Sequence, residues 1–133
     1  MMRTPVGVNM YYQSEFEDNY CIRTDQKRVQ QILINMISNS CKATVEGEIR
    51  VDCRRSARSG CVDFVVTDTG SGVDPEKAKE IFNRFVTIDD NNTGHGLGLD
   101  ICMKISKRIG GEIWLDQEYK NGARFVLTLP SNI

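Results

Sequence analysis

The chain has 133 residues, enough for one domain with a single buried core, and its 40% hydrophobic and 26% charged residues are usual for a water-soluble globular protein. Seventeen Lys and Arg against eighteen Asp and Glu leave a net charge of −1. That balance argues against nucleic acid or an anionic membrane surface as a partner, so any anionic ligand must be held by local geometry.

In chain order, residues 8–16 and 20–23 read as short extended pieces around Tyr11-Tyr12 and Cys21-Ile22-Arg23. Thr24 or Asp25 can cap a helix running to about Thr44, because Val29, Ile32, Leu33, Met36 and Ile37 follow the i, i+3, i+4, i+7, i+8 spacing of one apolar face. Gly47 ends it. Strands are expected over 48–54 and 61–67, joined by a polar turn at 56–60 that suits a hairpin. Asp68-Thr69-Gly70-Ser71-Gly72 is a turn, and Pro75 opens a short helix over 76–85. Residues 86–96 are polar and glycine-containing and read as a mobile loop. A third helix over 97–109 stops at Gly110-Gly111, and a final hairpin of 112–118 and 123–129 turns at Lys120-Asn121-Gly122. The expected fold is α+β: one domain over 1–133, a two-layer sandwich with a mixed sheet covered on one face by three helices.

No apolar run reaches the ~20 residues that span a bilayer, and Met1-Met2-Arg3-Thr4-Pro5 lacks the apolar core of a signal peptide. The five cysteines, Cys21, Cys41, Cys53, Cys61 and Cys102, show no CxxC spacing and share the chain with one histidine. Reduced thiols in a cytosolic setting are expected, serving as small apolar residues.

Three constellations could carry chemistry. On the first helix, Asn35, Asn39 and Lys42 fall within about 60° of one another beside the apolar stripe. They would offer a neutral oxygen to a hard cation and a positive charge to phosphate; taken alone, the helix reads more readily as a solvated polar face. Asp68 follows the apolar strand Val62, Phe64, Val65, Val66, where a carboxylate needs hydrogen-bond donors. The exocyclic amine of adenine would serve, with Gly70 and Gly72 letting the backbone approach a flat base; an Asx-turn is the other reading. Gly94-His95-Gly96-Leu97-Gly98-Leu99 opens the last helix, where free amides attract phosphate oxygens. The Asp68 turn is the stronger signal and a lone glycine-rich helix start is weak; the conjunction carries the weight.

Asn35-Met36-Ile37-Ser38-Asn39, Asp68-Thr69-Gly70-Ser71-Gly72, Ile81-Phe82-Asn83-Arg84-Phe85 and Gly94-His95-Gly96-Leu97-Gly98-Leu99 resemble the N, G1, F and G2 boxes of sensor histidine kinase catalytic domains. They stand in that family's order and at its spacing. Asp25 to Leu33 resembles the lead-in to the N box, and Phe125 to Pro130 the family's last strand, so the resemblance covers about 25–130. The wider group is the GHKL ATPases and kinases, with gyrase, Hsp90-type and mismatch-repair members. The resemblance implies an N box at 35–44, G1 at 68–72, an F box at 81–85, an ATP lid at 86–96 and G2 at 94–99. It implies ATP and Mg²⁺ as cofactors. Asn39 would hold the metal, Asn35 and Lys42 would approach the phosphates as the catalytic pair, and Asp68, Gly70 and Gly72 would take the base. Arg84 would reach toward the phosphates, and Phe85 would anchor the lid. Gly94, His95, Gly96, Leu97 and Gly98 would fold over the nucleotide, and Thr128 would lie beneath the adenine or be a plain strand threonine.

The hydrolytic members resemble Glu-x-x-x-Asn where this chain has Asn35, and a carboxamide is no general base at neutral pH. The resemblance therefore implies transfer of the γ-phosphate to an outside nucleophile. His95 lies in the nucleotide loop and is not read as the acceptor, so the acceptor histidine would sit on a separate dimerisation hairpin, with a response regulator as the indirect partner. No direct membrane contact is expected from this segment, which would be cytoplasmic even if its parent were anchored. Ser40 replaces the usual Ala, Ala43 a frequent adenine-stacking aromatic, and His95 the usual Thr. Two alternatives remain open on the sequence: a nucleotide-binding regulatory module without phosphotransfer, and an ATPase subunit.

Overall fold

The computed structural model describes residues 7–17, 20–44, 46–74, 76 and 98–131. Strand β1 (Val8–Ser14) leads to helix α1 (Gln26–Ala43), then to strands β2 (Gly47–Arg55) and β3 (Cys61–Asp68). Helix α2 (Leu99–Arg108) and strands β4 (Glu112–Leu115) and β5 (Ala123–Pro130) complete the described elements. The five strands form one sheet in the order β1-β2-β3-β5-β4. β1 runs parallel to β2, which requires the crossover that α1 supplies, and every other pairing is antiparallel.

Helix α1 begins where the Asp25 carboxylate accepts the Arg28 amide at 3.2 Å, satisfying one of the helix's unpaired amides. Its apolar stripe presses Val29, Ile32 and Met36 onto the sheet. Ile32 and Met36 are fully buried, worth about 1.5–3 kcal/mol each in transfer free energy. Alternation on the strands sends Ile49 and Val51, Val62 and Val66, and Phe125, Leu127 and Leu129 to the same side, where Leu99 and Cys102 of α2 join them. The core thus lies between the sheet and the two helices seen among the described residues. No helix among these residues is long and apolar enough to cross a membrane.

The mixed sheet and the helix-covered face agree with the sequence expectation. Three details differ. Residues 20–23 are irregular rather than extended, and the Arg23 amide reaches the Ser131 carbonyl at 3.4 Å instead of entering a ladder. Strand β3 continues through Asp68, which pairs with Ala123, so the carboxylate belongs to the strand's last residue. Strand β4 stops at Leu115, because 117–118 already form a turn. The helix expected over 76–85 lies, apart from Glu76, outside the described residues, as does the loop expected over 86–96.

Candidate functional site

Asp68 points to the helix-covered side and is 1% exposed. Its Oδ1 accepts two backbone amides, from Gly70 at 2.9 Å and from Ala123 on β5 at 3.2 Å. Two donors on one oxygen make burial of the carboxylate tolerable and fix its direction. The turn that follows is tied on both sides. Thr69 donates its amide to Glu48 O at 3.1 Å and accepts the Glu48 amide on its hydroxyl at 3.0 Å, while Ser71 donates to Ala43 O at the end of α1 at 3.4 Å. A Cβ on Gly70 would overlap the Ala43 carbonyl, so only glycine lets the turn pass this close to the helix. Gly72 completes the turn with φ +76°.

Helix α1 supplies the other edge. Asn35 is buried, and Asn39 and Lys42 are half-buried. Asn35 donates from Nδ2 to the sulfur of Cys102 at 3.1 Å, bridging α1 and the first turn of α2. Burial pushes the Cys102 thiol above its ordinary range; the Asn35 hydrogen bond pulls the other way, and the Asp100 charge adds a smaller push upward. The sulfur is therefore a neutral thiol near pH 7. From Asn35 to Ala43, α1 rises about 12 Å, so its amide-bearing middle and its turn-docked end are held at a set separation. Gly98 is the N-cap of α2, and its carbonyl accepts the Cys102 amide at 3.1 Å.

The G1 turn, the α1 edge and the start of α2 thus come together on one face. Thr128 does not join them. It alternates with the core residues Leu127 and Leu129 and faces the helix-free side, about 17 Å along the sheet from the Asp68–Ala123 pair. There its hydroxyl donates to Asp63 at 2.6 Å and accepts from Trp114 Nε1 at 3.0 Å. The expectation that Thr128 lies beneath a base at Asp68 is corrected: strand parity turns it away, and Ala123 is the β5 residue beside Asp68. Arg84, Phe85, Gly94, His95, Gly96 and Leu97 lie outside the described residues.

Two contributors escaped the sequence reading. Ala123 acts through its backbone amide, which no side-chain pattern reveals. Gly122, read only as a turn residue, has φ +148°, and a Cβ there would overlap the Asp68 carbonyl oxygen. The pairing of Gly122 with the G1 turn could have been sought as a second glycine needed for close approach.

The donor set suits a nucleotide. A buried, oriented carboxylate stands at the start of a glycine turn, and beside Gly70 the Thr44 hydroxyl is buried with no hydrogen-bond partner among the described residues. A hollow of about 230 Å³ opens next to the turn, lined by Ser71, Gly72, Val73, Leu115 and Ala123 among others. A second, of about 360 Å³, lies on the helix-free face around Arg50, Thr67 and Arg124, away from Asp68. Among the described residues no three His, Cys, Asp or Glu could together hold a metal.

Residues 24–133 match the family model described as histidine kinase-, DNA gyrase B-, and HSP90-like ATPase. The chain is 34% identical over 135 residues to the autoinducer 2 sensor kinase/phosphatase LuxQ of Vibrio harveyi, covering 96% of this chain and 16% of LuxQ. The catalytic domain of histidine kinase ThkA matches with a TM-score of 0.81 at 30% identity, over 95% of this chain and 80% of that one. Full-length ShkA in complex with AMPPNP matches with a TM-score of 0.73 at 31% identity, over 93% of this chain and 26% of that one. The chain thus spans a small part of the full-length kinases and most of an isolated catalytic domain. It belongs to the histidine kinase-, DNA gyrase B- and HSP90-like ATPase family, as a catalytic domain of the histidine kinase kind.

Proposed function

We propose that this chain binds Mg-ATP and donates the γ-phosphate to a histidine on a separate helical hairpin, as the kinase step of two-component signalling. The observation that carries the reading is the buried Asp68 carboxylate, oriented by the Gly70 and Ala123 amides and set against the end of α1. A fixed acceptor at that place would take the purine's exocyclic amine, with Gly70 and Gly72 leaving room for the ring. Asn39 would offer its carboxamide oxygen to Mg²⁺, and Asn35 and Lys42 would face the phosphates. Arg84, Phe85 and the glycines of 94–98 complete the proposed cradle as lid and hinge.

Bound Mg-ATP supplies the phosphoryl group, whose bond to the ADP oxygen breaks as a bond to the acceptor imidazole nitrogen forms. The protein's contribution is positioning and charge neutralisation, which is most of what such transfer needs. Asn35 cannot deprotonate water, so transfer to an external nucleophile is favoured over hydrolysis. The parent's acceptor hairpin and, downstream, a response regulator are the proposed partners, and we assign the segment to the cytoplasm. The test is to mix this chain with a matching hairpin and radiolabelled ATP. Acid-labile label on the hairpin is expected, lost with Asn39→Asp; no label with folded partners overturns the reading.

A further inference from the structure

Asn35 and Cys102 are 67 positions apart in sequence yet share a buried hydrogen bond, Nδ2 to sulfur, at 3.1 Å. The sulfur is held in place from its own side. Cys102 is fully buried in the first turn of α2, and its amide closes on the carbonyl of Gly98, the residue at which the glycine-rich segment enters the helix. A carboxamide has two chemically opposite ends on one carbon, a donor NH₂ and an acceptor oxygen. Whichever end the sulfur engages sets where the other must point.

We propose that Cys102 is a positioning residue: its sulfur takes the Asn35 Nδ2–H and so fixes which end of that carboxamide is presented along the α1 edge toward Mg-ATP. The inference rests on the nucleotide reading above and adds a specific role to a residue outside the four boxes. With Nδ2 turned to the sulfur, the carboxamide oxygen is the end turned away from it, an acceptor that would suit the cation of a cation-phosphate ligand rather than its phosphate oxygens. The contact also joins the start of α2, and hence the end of the glycine segment, to the middle of α1.

The test separates this role from simple core filling. Cys102→Val keeps an apolar side chain of similar volume but cannot accept a hydrogen bond, whereas Cys102→Ser can. In the chain without nucleotide, the Asn35 side-chain amide protons should exchange slowly with solvent in the parent and in Cys102→Ser, and faster in Cys102→Val, as read by NMR. By calorimetry, Cys102→Val should raise the Kd for Mg-ATP roughly tenfold, the usual scale for losing a group that orients a ligand-binding side chain, while Cys102→Ser recovers most of the affinity. With Asn35→Ala already in place, Cys102→Val should add no further loss. Should valine's branched Cβ prevent folding, Cys102→Ala reads the same loss of acceptor.

Unchanged amide exchange and unchanged affinity in the valine variant overturn the proposal, as does a serine variant as weak as the valine one. If the parent itself fails to bind Mg-ATP, the nucleotide reading falls. The amide-exchange comparison then still decides whether Cys102 holds Asn35.

Discussion

Strand β3 carries two buried carboxylates, Asp63 and Asp68, five residues apart and therefore on opposite faces of the sheet. On the helix-free face, Asp63 accepts the hydroxyl of Thr128, which in turn accepts from Trp114, so side chains from three strands close on one another. On the helix-covered face, Asp68 receives two main-chain amides on a single oxygen, beside a glycine turn. Burial alone does not mark a functional acid. The donors differ: side chains close on Asp63, whereas Asp68 makes the Asx-turn to Gly70 that the sequence also offered and a cross-strand bond to Ala123, which fix its direction and are consistent with the proposed acceptor role.

That contrast can be broken directly. Asp68→Asn exchanges an acceptor for a donor at one oxygen and should raise the Kd for Mg-ATP roughly ten- to a hundredfold, the worth of a charged hydrogen bond. Asp63→Asn should leave calorimetric affinity at the parent value; equal losses in both variants would mean the two faces are not functionally distinct. A smaller and purely structural effect is expected from Thr128→Val. It strands the Trp114 N–H and the Asp63 carboxylate together and should cost about 1–3 kcal/mol. The denaturant midpoint should fall with an unchanged m-value and unchanged nucleotide binding.

The smallest effect sharpens the comparison through pH. Burial pushes the Cys41, Cys53 and Cys102 thiols up, so the native state keeps protons that the unfolded chain releases. Native binding of more protons makes unfolding easier as pH rises, and these thiols should make stability decline from about pH 8.5 upward. Denaturant midpoints measured on either side of that value check the sign, and Cys102→Ser should flatten the decline.

Much of this architecture was legible because its signals are local. The spacing of Val29, Ile32, Met36 and their neighbours located α1, and the run from Val62 to Val66 ending in Asp68 located both a strand and the carboxylate at its end. What escaped was non-local or main-chain. Nothing in Tyr11-Tyr12 announces that β1 pairs in parallel with β2, and nothing in a lone Cys102 announces Asn35. Thr128 is a different kind of miss. Its alternation with Leu127 and Leu129 was in plain view, and counting parity from those apolar neighbours would have turned it to the other face. Family motifs locate a residue along a strand; only the period of two says which way it looks.

The strand order has a bearing on how the chain assembles. β5 is the last of the described strands in sequence yet lies between β3 and β4, so during synthesis the other four described strands exist before the one that joins them emerges. Such late, long-range pairing is slow to form and leaves edges exposed meanwhile. A shortened version ending before Ala123 would forfeit more than one ribbon. β4 would have no neighbour, and Asp68 would lack the amide that helps to aim it.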